Sequence, residues 1–245
     1  MPGGHPAALV TGAARRLGAA IARRLHAAGY DLALHYRGSA AEAAALAAEL
    51  EATRAGSVLL LQAELAEFDR LPELVARTVG RFGRLDALVN NASEFVPDTF
   101  GSIHPDHWDR MMAVNAKAPF FLAQAAAPHL RAARGAIVNL SDIYARDPRE
   151  DLAAYAISKG ALESATRALA VAMAPEVRVN AVAPGAILWP DDGIDPVLQE
   201  RLLAKTPVGR TGTPDEIAAA VLWLLRDAGY TTGTVLAVDG GRGAR

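Results

Sequence analysis

Ala7-Ala8-Leu9-Val10-Thr11-Gly12-Ala13-Ala14-Arg15-Arg16-Leu17-Gly18 is a short apolar run that breaks at a glycine and opens into a helical pattern. The run has the length and composition of a buried strand. Gly12 suits a tight turn, and Gly18 suits a close approach of helix to strand. Leu17 and the small residues between them let backbone N–H groups approach a pyrophosphate at a helix start, where the helix dipole favours anions. An ordinary strand-to-helix turn would look the same in isolation, so the reading rests on what surrounds it.

The unit repeats along the chain. Strand-like runs at residues 7–11, 31–36, 57–62, 87–90, 135–139, 178–182 and 234–238 alternate with helical stretches at 18–28, 40–54, 71–82, 105–133, 153–174 and 214–226. Continuous apolar strands separated by helices predict a parallel sheet covered on both faces. Right-handed crossovers then give one α/β domain over residues 1–245, a doubly wound, Rossmann-like sheet of about seven strands.

Composition narrows the function. Hydrophobic residues make up 51% of the 245, which excludes a disordered chain. A net charge of −2, from 25 basic and 27 acidic residues, offers no basic excess for a nucleic acid. Cysteine is absent, and the six histidines show no ligand spacing, so no metal is expected. No apolar run reaches bilayer length and residues 1–6 lack a leader pattern, so the expectation is a soluble, cytoplasmic protein.

The second strand reads out the dinucleotide. NAD-specific sheets place a carboxylate there for the ribose 2′-hydroxyl, whereas this strand ends His35-Tyr36-Arg37-Gly38-Ser39. Tyr36 borders that edge, while Arg37, Ser39 and Arg16 are positioned to hold a 2′-phosphate, which favours NADPH. The competing reading makes Arg15, Arg16 and Arg37 solvated charges. Glu64, after the third strand, is a candidate acceptor for the adenine amino group or a surface charge.

Tyr155-Ala156-Ile157-Ser158-Lys159 opens a long helix and puts Tyr155 and Lys159 on one face, a turn apart. An ammonium beside a phenol favours the phenolate, so the Tyr155 pKa is expected to fall from about 10. Asn90-Asn91-Ala92 ends an apolar strand, where a polar pair faces the ligand crevice. Asn115 lies in the long 105–133 stretch and is either a site residue or a satisfied helical amide.

Together these segments resemble the short-chain dehydrogenase/reductase family over essentially the whole chain. The likeness is carried by Thr11-Gly12-Ala13-Ala14-Arg15-Arg16-Leu17-Gly18, Asn90-Asn91-Ala92, Asn115, Tyr155-x-x-x-Lys159, Asn180-x-x-x-Pro184-Gly185 and Thr232-Gly233 with Val238-Asp239-Gly240-Gly241. The resemblance implies NADP(H) as cofactor, Tyr155 as general acid, and Lys159 as a ribose ligand that tunes Tyr155. It further implies a water-linked proton relay at Asn115, a cofactor lining of Asn91, Ala92, Ser93, Pro184 and Gly185, and a homotetramer.

Two departures from the common pattern are informative. Arg16 stands at the loop's central glycine, and Asp142 stands thirteen residues ahead of Tyr155, where a serine is usual; the nearest serine is Ser141. An ionised Asp only accepts hydrogen bonds and would repel a developing oxyanion. It suits a substrate that takes a proton at nitrogen. Both departures are similar to those of pteridine reductases and related bacterial dihydromonapterin reductases, as are residues 35–42 and Asn90-Asn91-Ala92-Ser93-Glu94-Phe95. That likeness implies that Phe95 stacks on a pterin, unless it is a loop anchor packed into the core, and that Ser93 contacts substrate and cofactor.

The expected reaction is hydride transfer to a C=N bond of a dihydropterin, with Asp142 supplying protons through Tyr155. Two alternatives stay open: a ketone or quinone reductase, and a non-catalytic NADPH-binding regulator. Residues 186–206 are expected to form a mobile substrate loop, in which Trp189 covers the pocket or buries itself, while the tail 241–245 reaches a neighbouring subunit.

Overall fold

A computed structural model describes residues 4–97, 99–189, 193 and 195–244. Seven strands, β1 (Ala7–Val10), β2 (Asp31–Tyr36), β3 (Val58–Gln62), β4 (Ala87–Asn90), β5 (Ala136–Leu140), β6 (Arg178–Pro184) and β7 (Val235–Val238), pair in parallel in the order β3-β2-β1-β4-β5-β6-β7. The order reverses between β1 and β4, so a crevice opens at their carboxyl ends.

The helices are α1 (Arg16–Ala27), α2 (Ala40–Thr53), α3 (Leu71–Phe82), α4 (Pro105–Met112), α5 (Ala118–Ala133), α6 (Ala153–Met173), α7 (Pro196–Ala204) and α8 (Pro214–Arg226). Strand alternation sorts them onto two faces. Ala8 and Val10 of β1 pack with Ile21 and Leu25 of α1 and Val221 and Leu224 of α8. Leu9, between them, enters the opposite layer with Leu74 of α3, Leu122 of α5 and Leu169 of α6. Leu9 and Leu88 lie side by side in register and are fully buried, so truncating either to alanine would cost about 2–5 kcal/mol.

The expected strands and helices are found with ends shifted by at most two residues, and with two differences of substance. The stretch 105–133 is not one regular helix. A π-turn, Ala113–Lys117, joins α4 to α5 and buries Asn115. Residues 186–206 are not simply a loop, because α7 lies inside them. The signal for α7 was present in Asp195-Pro196: the Asp195 carboxylate accepts from the Val197 N–H at 2.9 Å, with proline in the first turn. Of the predicted loop, Pro190, Asp191, Asp192 and Ile194 lie outside the described residues, as does Arg245 of the tail. Among the described residues no helix is long and apolar enough to cross a membrane.

Candidate active site

The glycine turn after β1 is shaped by its neighbours. Gly12 has φ +62°, and a Cβ there would sit 2.9 Å from the Ala92 Cα. A Cβ on Gly18 would fall 2.1 Å from the Gly12 carbonyl oxygen. Asn91 locks the two strand ends together, its Nδ2 donating to the carbonyls of Thr11 and Gly12, both at 2.9 Å. From the other side the Gly12 N–H donates to His35 Nδ1 at 3.2 Å, while His35 Nε2 meets the Ala63 carbonyl at 3.1 Å. Burial pushes the His35 pKa down to about 4, so its Nδ1 stays free to accept. No side chain caps α1, and its first turn carries no acidic residue. A glycine cradle at an uncapped helix start fits a dinucleotide pyrophosphate.

Arg16 has φ +53°, a left-handed backbone unusual for a residue with a side chain. Its guanidinium donates to the carbonyls of Trp189 at 3.2 Å and Leu188 at 3.4 Å. Without cofactor, those two carbonyls hold it. Trp189 itself is half-buried.

Arg37 sits at the end of β2, as expected, but among carboxylates. Its guanidinium is 3.2 Å from Glu94 and 3.7 Å from Glu64, and Arg110 bridges the same two acids at 2.8 and 3.5 Å. Glu64 is thus part of a four-charge cluster. Tyr36 and Ser39 border it, and the Ser39 hydroxyl makes no cap to α2.

At the other end of the crevice the strand ends gather the reactive groups. Tyr155 is 5% exposed, and its hydroxyl donates to Asp142 Oδ2 at 2.9 Å. Asp142 Oδ1 accepts from the Tyr144 N–H at 2.9 Å. Lys159, 2% exposed, donates to the Leu140 carbonyl at 2.8 Å, with its Nζ 5.6 Å from the centre of the Tyr155 ring. Pro184 pairs with Val238, and a Cβ on Gly185 would lie 2.7 Å from the Asp239 Cα, which keeps that wall close.

Electrostatics here run against the reading from spacing alone. The Tyr155 pKa is raised well above 10, first by burial and then by the Asp142 carboxylate, so the phenol is held neutral. The predicted fall does not occur, because burial and the directly contacting Asp142 both disfavour the phenolate. Burial also raises the Asp142 carboxyl and lowers Lys159 to about 8.

Asn115 uses its whole side chain internally. Its Nδ2 donates to the Glu94 carbonyl at 2.9 Å and Ser158 Oγ at 3.0 Å; its Oδ1 accepts from the Glu94 N–H at 2.8 Å and Ser93 Oγ at 3.2 Å. It clamps the segment carrying Ser93 and Phe95 with all four of its side-chain hydrogen-bonding positions. Phe95 is 48% exposed and stands edge-on to the Tyr155 ring at 4.8 Å. It faces the site rather than the core.

Residues 12–242 match a family model described as Enoyl-(Acyl carrier protein) reductase. The chain is 38% identical to the "Granaticin polyketide synthase putative ketoacyl reductase 2" of Streptomyces violaceoruber, covering 96% of this chain and 95% of that one. It is 37% identical to pteridine reductase 1 of Leishmania tarentolae and 36% identical to the 3-oxoacyl-(acyl-carrier-protein) reductase FabG of Staphylococcus aureus, each over 96% of both chains. The chain belongs to the short-chain dehydrogenase/reductase family.

As a short-chain dehydrogenase/reductase it is an oxidoreductase of a family that uses nicotinamide cofactors. The glycine cradle and Lys159 are the parts of this short-chain reductase that suit such a group. Sequence reading missed Glu94 as a partner of Arg37, Arg110 as the second cation on Glu94 and Glu64, and Tyr144 and Arg242 as neighbours of Asp142. Only the Tyr144 contact, two residues from Asp142, had a local signal.

Proposed function

We propose that this oxidoreductase is an NADPH-dependent pteridine reductase that adds a hydride to the carbon, and a proton to the nitrogen, of a C=N bond in a dihydropterin. The observation that carries the reading is the 2.9 Å hydrogen bond between Tyr155 and the Asp142 carboxyl. A ketone reductase needs a neutral donor beside its substrate oxygen. Ser141 does not take that part: it is 4% exposed and donates to Glu163 at 3.2 Å. The likeness to pteridine reductase 1 points the same way, although ketoacyl reductases are equally similar.

Reduced nicotinamide supplies the hydride when bound. Tyr155, kept neutral by burial, gives the proton. With Asp142 ionised, that proton is turned inward; with Asp142 protonated, the hydrogen bond reverses and the phenol points its proton outward. The raised Asp142 pKa brings this reversal toward working pH. After Tyr155 has donated, Asp142 returns a proton to it, and the Lys159 ammonium offsets the transient phenolate. Phe95 offers an exposed aromatic face beside Tyr155 for a flat heteroaromatic ring. Arg37 takes the 2′-phosphate in exchange for its carboxylate neighbours.

The test is NADPH oxidation with 7,8-dihydrobiopterin and 7,8-dihydrofolate beside a panel of ketones, quinones and acetoacetyl thioesters. Turnover of a dihydropterin with the others silent is expected. Turnover of ketones or thioesters with silent dihydropterins would overturn the assignment and leave the oxidoreductase fold intact.

A further inference from the structure

Arg242 is the outstanding unexplained charge in this molecule. It follows Asp239-Gly240-Gly241, where Gly240 and Gly241 have φ +65° and +85°. The turn is sealed by Asp239, whose carboxylate accepts from the Gly241 N–H at 2.9 Å and the Gly243 N–H at 2.7 Å. A Cβ on Gly240 would meet Thr206 at 2.7 Å. The turn therefore delivers Arg242 inward at a fixed place, and Arg242 is 6% exposed.

Its guanidinium lies 5.2 Å from the centre of the Tyr144 ring, and its charge is felt by the Asp142 carboxyl. Arg149 approaches the same ring at 5.7 Å, and there the contrast is instructive. Arg149 is neutralised by a two-pronged contact with Asp151. Arg242 has no ion-pair partner among the described residues, and its buried Nε meets no acceptor. Leaving a buried charged donor unmet is costly, and folded proteins supply it with an ordered water, an ion or a ligand where no protein acceptor is in reach. The Asp142 carboxyl feels both Arg242 and the buried Lys159, while its own burial disfavours its charged form.

We propose that Arg242 is a specificity residue that binds a carboxylate on the substrate's ring substituent, on the Tyr144 side of the pocket. This rests on the pteridine reading above. A carboxylate takes the buried Nε–H and a terminal N–H together, in the fork geometry that guanidinium groups favour.

The experiment compares 6-methyl-7,8-dihydropterin with 7,8-dihydropteroate and 7,8-dihydrofolate, in the native chain and in Arg242→Met. In the native enzyme at least one carboxylated substrate should show a KM tenfold or more below that of the methyl compound. Arg242→Met should erase that advantage while leaving the methyl compound's KM within about twofold. Equal KM values in the native enzyme, or an advantage that survives in Arg242→Met, would overturn the proposal. If Arg242→Met does not fold, Arg242→Gln replaces it, and the comparison within the native enzyme still decides. Should no dihydropterin turn over, the pteridine reading fails separately. Calorimetry on the NADPH-loaded protein then decides for Arg242: benzoate should bind tenfold more tightly than benzamide, and equal binding would overturn it.

Discussion

Tyr155 donates its hydroxyl hydrogen to Asp142 across 2.9 Å, although one residue opens α6 and the other ends the segment after β5. Tyr155 is buried and Asp142 half-buried, so each strongly affects the other's proton affinity. The carboxylate disfavours a neighbouring phenolate, and burial disfavours the carboxylate itself. The pair behaves as one proton reservoir, and its macroscopic titration belongs to both residues.

Replacing Asp142 with serine removes that reservoir but keeps a small hydroxyl beside Tyr155. Dihydropterin turnover should fall by roughly a hundredfold to a thousandfold, the usual scale for one acid–base group. NADPH affinity should move less than threefold. Steady-state kinetics and nicotinamide fluorescence titration read the two quantities, and a parallel loss of both would remove Asp142 from proton supply.

Lys159 carries a burial cost that can be measured. Its ammonium is driven from 10.5 to about 8, which corresponds to about 3 kcal/mol against folding at pH 7. The unfolded chain keeps this proton up to 10.5, while the folded one releases it near 8. Native stability from this group therefore rises as pH climbs from 8 to 10.5. Lys159→Met removes the cost but loses the hydrogen bond to Leu140, worth about 1 kcal/mol. The variant should be inactive yet melt roughly 2–8 °C higher at pH 7, with the gap closing by pH 10. A lower Tm at pH 7 would refute this.

These two groups also show where sequence reading stops. The four-residue spacing of Tyr155 and Lys159 placed both on one face of α6, because helical period is local. It gave the wrong sign for the Tyr155 pKa, because burial depth and the Asp142 contact come from tertiary packing. The strands were legible as apolar runs between glycines and polar breaks, whereas α7 is a short helix in a Pro- and Asp-rich stretch. Arg242 looked like a tail residue. Only the two left-handed glycines ahead of it, folded under Thr206, turn it toward Tyr144.

Glu94 should weaken the grip on a 2′-phosphate. It holds Arg37 at 3.2 Å and Arg110 at 2.8 Å, and Asn115 fixes its backbone in place. Glu94→Gln keeps the backbone clamp and removes the nearer of the two carboxylates on Arg37, leaving Glu64 at 3.7 Å. The Kd for NADPH should drop about twofold to fivefold, an exposed ion pair's worth, with NADH unaffected. Equal tightening of both nucleotides would mean that Arg37 does not read the 2′ position.

Arg16 sets backbone strain against a tertiary contact. A left-handed φ of +53° costs a residue with a Cβ about 1–2 kcal/mol, and glycine avoids that strain but adds about 0.5–1 kcal/mol of chain entropy. On the backbone alone Arg16→Gly should be neutral or slightly stabilising. The guanidinium, however, anchors Leu188 and Trp189 through their carbonyls, and that anchor goes with it. Tm should therefore stay level or rise by a few degrees, while amide exchange at residues 187–189 accelerates and the substrate KM increases. If Tm falls sharply and exchange there is unchanged, the side chain matters to the core fold and not to the segment over the pocket. If both hold steady, the contact to Trp189 carries no weight.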